Sequence, residues 1–414
     1  MCEKKQKISL IGIGMGASVT MTAQAEAAVR SADCLIGAER MLEAVRDMET
    51  AAGKPTLAEY RGEKILSYIR SHPEYRNIAV LLSGDTGFHS GAKTLENLVD
   101  RELPECETQM IPGIASVAYL AARVKTSWED AALVSLHGKE EDFIRTVSRN
   151  RKTFLLLGGK DAGRRALERL REYEMDEIIL HVGTRLSYPD ERILSGTIRD
   201  LSETDMEGLS VALAENPAPD MSVCCHVPDE EFIRGNVPMT KEEVRAVSIA
   251  ELRLTKNAVV YDIGAGTGSV SVEAALSGDD IRVYAVEKNP EAVSLIRQNR
   301  KKFRTDGIRI ISGTAPEALK SLEAPTHVFI GGSSGSLKEI LRAVLDKSPE
   351  VRIVLNAISL ETVSEAMEAV TEGLLMDARI TQIMASRARK LGRYHMMTAQ
   401  NPVYIVSAGG RSDV

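Results

Sequence analysis

Short apolar runs separated by longer amphipathic stretches recur along the whole chain. In the first half, Ile8–Ile13, Ala79–Leu82, Ala132–Ser135, Thr153–Leu157 and Glu177–His181 have the length and residue types of strands. In the second half, Ala258–Ile263, Arg282–Val286, Ile308–Ile311, His327–Ile330, Arg352–Leu355 and Pro402–Val406 do. The stretches between them are rich in Ala, Leu, Glu and Arg, which predicts helices. Strands alternating with helices predict an α/β class with mostly parallel sheets. Both periods fail across Glu215–Pro238, where four of the 14 prolines fall. The expected division is therefore a domain over 1–215, a linker over 216–236 and a second domain over 237–414.

Composition narrows the function classes. A length of 414 residues allows two or three domains, each with its own core. Aromatic residues make up only 4%, which leans away from an all-β sandwich. With 52 Lys+Arg against 59 Asp+Glu the net charge is −7, so the chain is a poor general binder of nucleic-acid backbone. No stretch approaches the ~18 apolar residues of a membrane span, and Ile8–Ile13 is too short for a signal-peptide core. The five cysteines, Cys2, Cys34, Cys106, Cys224 and Cys225, form no C-x-x-C pair. Free thiols in a reducing cytoplasm are expected, with neither a disulfide framework nor a metal site.

The strongest motif is Asp262-Ile263-Gly264-Ala265-Gly266-Thr267-Gly268, which follows an apolar strand and precedes a helix. Its glycines let the backbone turn sharply and approach a ligand. The next strand ends at Glu287, where a carboxylate can accept both hydroxyls of a ribose. Asn289-Pro290 then caps and starts a helix. Gly313-Thr314-Ala315-Pro316 and Gly331-Gly332-Ser333-Ser334-Gly335 follow the third and fourth strands. Upstream, Thr240-Lys241-Glu242-Glu243 reads as a capping box. One GAGTG alone is as often a plain strand–helix turn. Glu287 and two further glycine loops make it a site for S-adenosylmethionine. Asn401-Pro402-Val403-Tyr404 looks like an amino-methylating motif, but it begins the last strand and is set aside.

The first half uses different glycines. Gly12-Ile13-Gly14-Met15-Gly16-Ala17 formally satisfies a dinucleotide fingerprint. The following helix is expected only near Thr22, however, and Asp33 precedes its strand, so the fit to a nicotinamide cofactor is weak. Ser83-Gly84-Asp85-Thr86-Gly87-Phe88 and Ile111-Pro112-Gly113-Ile114-Ala115-Ser116 follow later strands. Each alone could be a surface turn.

Taken together, GIGMG, LSGDTGF and IPGIASV resemble the tetrapyrrole methylase family in order and spacing, with Met15 and Thr86 where that family has proline. Ile111–Gly138 and Leu186–Gly196 resemble the branch acting on a late corrin precursor. From Val237 through DIGAGTGSVSVEAA, VEKNPEA, GTAPEAL and FIGGSSG, the second half resembles the decarboxylating corrin methyltransferases.

The resemblance implies a two-lobed tetrapyrrole methylase fold, with lobes of about 1–111 and 112–215, followed by a Rossmann-like methyltransferase fold. It implies one S-adenosylmethionine per domain. Met15, Ser83, Gly84, Asp85, Phe88, Ala115 and Ser116 would contact the first. Thr240, Gly264, Ala265, Gly266, Thr267, Gly268, Glu287 and Ala315 would contact the second. The implied reactions are methylation at carbon 5 by the first half, and at carbon 15 with loss of the ring C acetate carboxylate by the second, in cobalamin biosynthesis. A homo-oligomer is implied as well.

A reduced tetrapyrrole is itself a carbon nucleophile, so methyl transfer asks for alignment more than for a strong base. No triad is expected. His72, His89, His137, His181, His226, His327 and His395 lie far apart and read as structural. The substrate's carboxylates call for a local basic patch. The run from Arg387 through Arg389 to Arg393 is the candidate, against the plainer reading of a solvated charged hairpin. Three rivals stay open: a nicotinamide dehydrogenase using Gly12 to Ala17, a tetrapyrrole-binding scaffold without catalysis, and an RNA methylase.

Overall fold

The computed structural model describes residues 6–136, 142–159, 161–206, 208–223 and 226–410. Cys2, Cys224, Cys225 and His137 lie outside them. The chain divides into two compact units. Unit 1 comprises Met1–Glu141, Asn150–Arg171 and Met175–Ala218; unit 2 comprises Asp142–Arg149, Glu172–Glu174 and Pro219–Val414.

Unit 1 contains two sheets. The first is built from β1 (Lys7–Gly12), β2 (Cys34–Gly37), β3 (Thr56–Ala58), β4 (Asn77–Leu82) and β5 (Glu107–Ile111), in the order β3-β2-β4-β1-β5. Every pair is parallel. Helices cover both faces, which is why β1 and β4 read as continuous apolar runs. Ile8, Leu10, Ile78 and Val80 pack on one side, and Ile11, Ala79 and Leu81 on the other.

The second sheet holds β6 (Ala132–Ser135), β7 (Lys152–Leu157), β8 (Ile179–Thr184), β9 (Arg192–Thr197) and β10 (Ser210–Glu215), in the order β6-β7-β10-β8-β9. Only β6–β7 is parallel. The other three pairs are antiparallel, a departure from the parallel expectation. Two of them come from β10, which returns between β7 and β8 and buries five of its positions, and the third from β9 folding back on β8.

Unit 2 is a seven-stranded sheet with a separate hairpin. Its strands are β11 (Val259–Ile263), β12 (Arg282–Glu287), β13 (Ile308–Ser312), β14 (His327–Ile330), β15 (Arg352–Ala357), β16 (Arg379–Ile383) and β19 (Val403–Ala408). Their order is β13-β12-β11-β14-β15-β19-β16. The first five run parallel; β19 is antiparallel to both neighbours. The hairpin pairs β17 (Ser386–Leu391) with β18 (Tyr394–Ala399).

The segment expected as a linker contributes to this unit's core. Val227 and Phe232 are buried against Val260, Val272 and Ile296. The capping box does not form as expected. The helix Glu242–Leu252 starts one turn position late, with Lys241 at the N-cap and no side-chain cap.

Candidate functional site

In an open α/β sheet, ligands sit where the strand order reverses direction, beyond the carboxyl ends. In unit 2 that point lies between β11 and β14, and a cavity of about 750 Å³ opens there. Four strand-end loops line it. Gly264, Ala265 and Gly266 follow β11, and Glu287 ends β12. Gly313–Ala315 follow β13, and Gly331–Ser334 follow β14.

The local fit explains the glycines. Gly264 has φ of +72°, and a Cβ there would lie 2.8 Å from the Gly332 carbonyl oxygen. At Gly266, with φ of +57°, it would lie 2.7 Å from the Pro238 carbonyl oxygen. Two loops and the entering chain therefore close on one another with no room for a side chain. Gly268 is the N-cap of the helix Ser269–Leu276, and Thr267 is fully buried.

Glu287 is held at the strand tip by three backbone N–H groups. Gly266 donates to Oε2 at 2.9 Å; Lys288 and Asn289 donate to Oε1 at 2.8 and 2.9 Å. Asn289 caps the next helix through the Glu291 N–H, with Pro290 at its first position. Below the glycine turn, Asp262 is completely buried. Burial raises its pKa to about 7, the Ser271 hydroxyl opposes this, and the Glu287 charge adds to it. Asp262 Oδ1 and Thr267 Oγ1 are buried without a hydrogen-bond partner. Neither residue lines the cavity, and Gly268, expected at this site with Thr267, does not line it either.

The Thr240 wall is built from below. Arg245, with no exposed surface, donates to the Thr240 carbonyl at 2.7 Å, to Asp229 at 3.0 Å and to Glu273 at 2.7 Å. A buried guanidinium needs such compensation.

In unit 1, three loops meet beyond β1, β4 and β5. Gly14 and Gly84 exchange backbone hydrogen bonds at 3.2 and 2.8 Å. Asp85 ties two loops together, accepting from Gly87 N at 2.8 Å and Gly113 N at 3.0 Å. Met15, Phe88 and Ala115 share one apolar cluster with Val117 and Leu186. Ser116 is the first residue of a helix whose N-cap is Ala115. The helix after β1 starts at Ala23, capped by Thr22, so no such helix end faces Gly12 to Gly16.

The comparisons with known proteins divide the same way. The family described as tetrapyrrole (corrin/porphyrin) methylases matches residues 7–202, and the precorrin methyltransferase domain matches residues 231–408. A "probable cobalt-precorrin-6B C(15)-methyltransferase (decarboxylating)" of Pyrobaculum calidifontis is 44% identical, over 44% of this chain and 94% of that protein. The chain belongs to the precorrin methyltransferases. The protein of the same printed name from Methanothermobacter thermautotrophicus is 41% identical, over 44% of this chain and 96% of its own length. A crystal structure titled precorrin-6y C5,15-methyltransferase, from Geobacter metallireducens, is 40% identical and covers 44% of this chain and 97% of its own, with a TM-score of 0.42.

As a precorrin methyltransferase the chain is an enzyme of the S-adenosylmethionine-dependent class. Of the residues expected in the second site, Thr240, Gly264, Ala265, Gly266, Glu287 and Ala315 line the cavity. Arg387, Arg389 and Arg393 are not among its lining residues. Arg387 is instead committed to carboxylates, at 2.9 Å from Glu242 and 2.5 Å from Glu243. Those partners hold it well above the usual guanidinium range, Glu243 most strongly. Burial opposes the charge on Glu242, yet the Asp229 N–H, His226 and Arg387 bring its pKa down to about 2. Sequence reasoning missed Asn356, Gln400 and Asn401, which line the cavity. Asn401 was visible in the Asn-Pro-Val-Tyr run and was set aside for its place before a strand.

Proposed function

We propose that the chain is a two-site C-methyltransferase of cobalamin biosynthesis. Unit 1 methylates carbon 5 of a late corrin precursor. Unit 2 methylates carbon 15 and removes the carboxylate of the ring C acetate. Each unit takes its own S-adenosylmethionine, which supplies an electrophilic methyl group on a sulfonium.

In unit 2, Glu287 accepts the ribose hydroxyls, Gly264 to Gly268 bring backbone against the amino-acid end, and Ala315 flanks the base. Thr240 closes the other side. In unit 1, Met15, Phe88 and Ala115 give an apolar wall, with Ser83 to Asp85 and Ser116 at its polar edge. Arg389 and Arg393, which have no carboxylate within 4.0 Å among the described residues, are offered to substrate carboxylates, with Arg387 bracing their hairpin. Leu391, Tyr394, Met396 and Met397 expose apolar surface on that hairpin and support self-association. The relatives named for a cobalt-bearing precursor favour that form of the substrate.

The observation that carries this reading is Glu287, fixed by three N–H groups at the tip of β12 above the glycine cradle. Calorimetry with S-adenosylhomocysteine is expected to count two equivalents per chain. Glu287→Gln should weaken one of them ~10–100-fold and spare the other. A single equivalent in active wild type, or two unchanged equivalents in the variant, overturns the reading.

A further inference from the structure

The loop between β8 and β9 is built around two residues in the left-handed region, Arg185 at φ +48° and Ser187 at φ +68°. Non-glycine residues stay there only when neighbours hold them. Here Ser187 N donates to Glu191 at 2.6 Å, and the Ser187 hydroxyl accepts from Ala17 N at 3.2 Å. Arg185 pairs with Asp190 at 2.5 Å and stacks 4.7 Å over the Tyr188 ring. The result is a Tyr188 hydroxyl pressed against the first glycine turn. A Cβ at Gly16 would lie 2.2 Å from it.

That hydroxyl and one other oxygen hold a second arginine. Arg40 donates to Tyr188 Oη at 3.1 Å through Nη1 and to Ser83 Oγ at 3.2 Å through Nη2. Both partners are neutral. Among the described residues no carboxylate lies within 4.0 Å of Arg40, whereas Arg123 and Arg185 in the same unit each have one. Arg40 is half-buried, and a guanidinium has five N–H groups, so donors remain. The protein thus fixes an uncompensated cation beside the ends of β1 and β4, where unit 1's glycine loops meet.

We infer that Arg40 is the receptor for a ligand carboxylate at the unit 1 site, its fork oriented by Ser83 and Tyr188. This rests on unit 1 being a methyl-transfer site. Both ligands of such a site carry the matching group: the amino-acid end of the cofactor, and the acetates and propionates of the macrocycle. A bidentate guanidinium–carboxylate pair suits either.

The test uses the full chain and Arg40→Gln. One arm is calorimetry with S-adenosylhomocysteine. The other is the KM for the macrocycle in unit 1's methyl transfer, followed by product mass, with the unit 2 methylation as internal control. One of the two constants should worsen ~10–100-fold while kcat changes less than about threefold. A weaker S-adenosylhomocysteine assigns Arg40 to the cofactor; a raised KM assigns it to the substrate. Arg40→Lys should recover part of the loss. The affected constant should also rise with salt between 0.05 and 0.5 M more steeply in wild type than in Arg40→Gln, a response a mere brace between loops lacks. Both constants unchanged, with or without a lowered melting temperature, overturns the inference alone. A wild type that binds nothing at unit 1 overturns the underlying reading and the inference with it.

Discussion

Each unit gathers glycine-bearing turns at the ends of parallel strands, but the two stiffen those turns by different means. In unit 2 the turn runs straight into the helix Ser269–Leu276, and a carboxylate from the neighbouring strand, Glu287, reaches across to Gly266. In unit 1 the turns are laced to one another through Gly14, Gly84 and Asp85, and the first regular helix is delayed to Ala23. Glycines at a strand end therefore report close backbone approach. What surrounds them decides which ligand is read.

The largest effect is expected in unit 2 from Arg245→Met. It strands Asp229 and Glu273 without their buried cation, a loss of ~3–5 kcal/mol. Denaturant unfolding should show the unit 2 transition moving while unit 1 stays in place. Next comes Gly113→Ala in unit 1. Its Cβ would meet the Gly84 carbonyl oxygen at 2.1 Å, and relieving that overlap costs ~1–3 kcal/mol. The unit 1 transition should shift and its cofactor equivalent disappear, leaving Glu287's site intact; an unshifted transition would show that the loops can part freely.

A third effect is a pH dependence confined to unit 2. Folded Asp262 has its pKa near 7, against ~3.9 in the unfolded chain. Between these values the folded state keeps a proton that the unfolded state has lost, so stability falls as pH rises and levels off above 7. Wild type should lose melting temperature relative to Asp262→Asn between pH 4 and 7, and no further by pH 9. Parallel curves would mean that the carboxyl is already ionised.

Legibility followed burial and locality. Strands buried on both faces, such as β1, β4 and β11, were plain as apolar runs. β10 was not, because Ser-Val-Ala-Leu-Ala-Glu reads equally as helix, and only its pairing with β7 and β8 makes it a strand. The β17–β18 hairpin exposes nearly every residue and so carries no periodic signal. The glycine turns and Glu287 were readable because strand, turn and acid follow in sequence. Arg387 was misplaced because its partners Glu242 and Glu243 lie far away in the chain. Glu243, the acid of the expected capping box, is taken up by Arg387 and Gln400, so the box gives way.

One feature of the entering chain bears on how unit 2 could be obtained alone. Residues 219–240 supply Val227, Asp229 and Phe232 to its interior before they become the wall at Thr240. A fragment starting at 237 would hold every cavity-lining residue yet lack the aromatic ring over Arg245 and one of that guanidinium's two acids. A start at 219, well upstream of the first residue that faces the cavity, keeps the unit's long segment Pro219–Val414 together, without its shorter pieces Asp142–Arg149 and Glu172–Glu174.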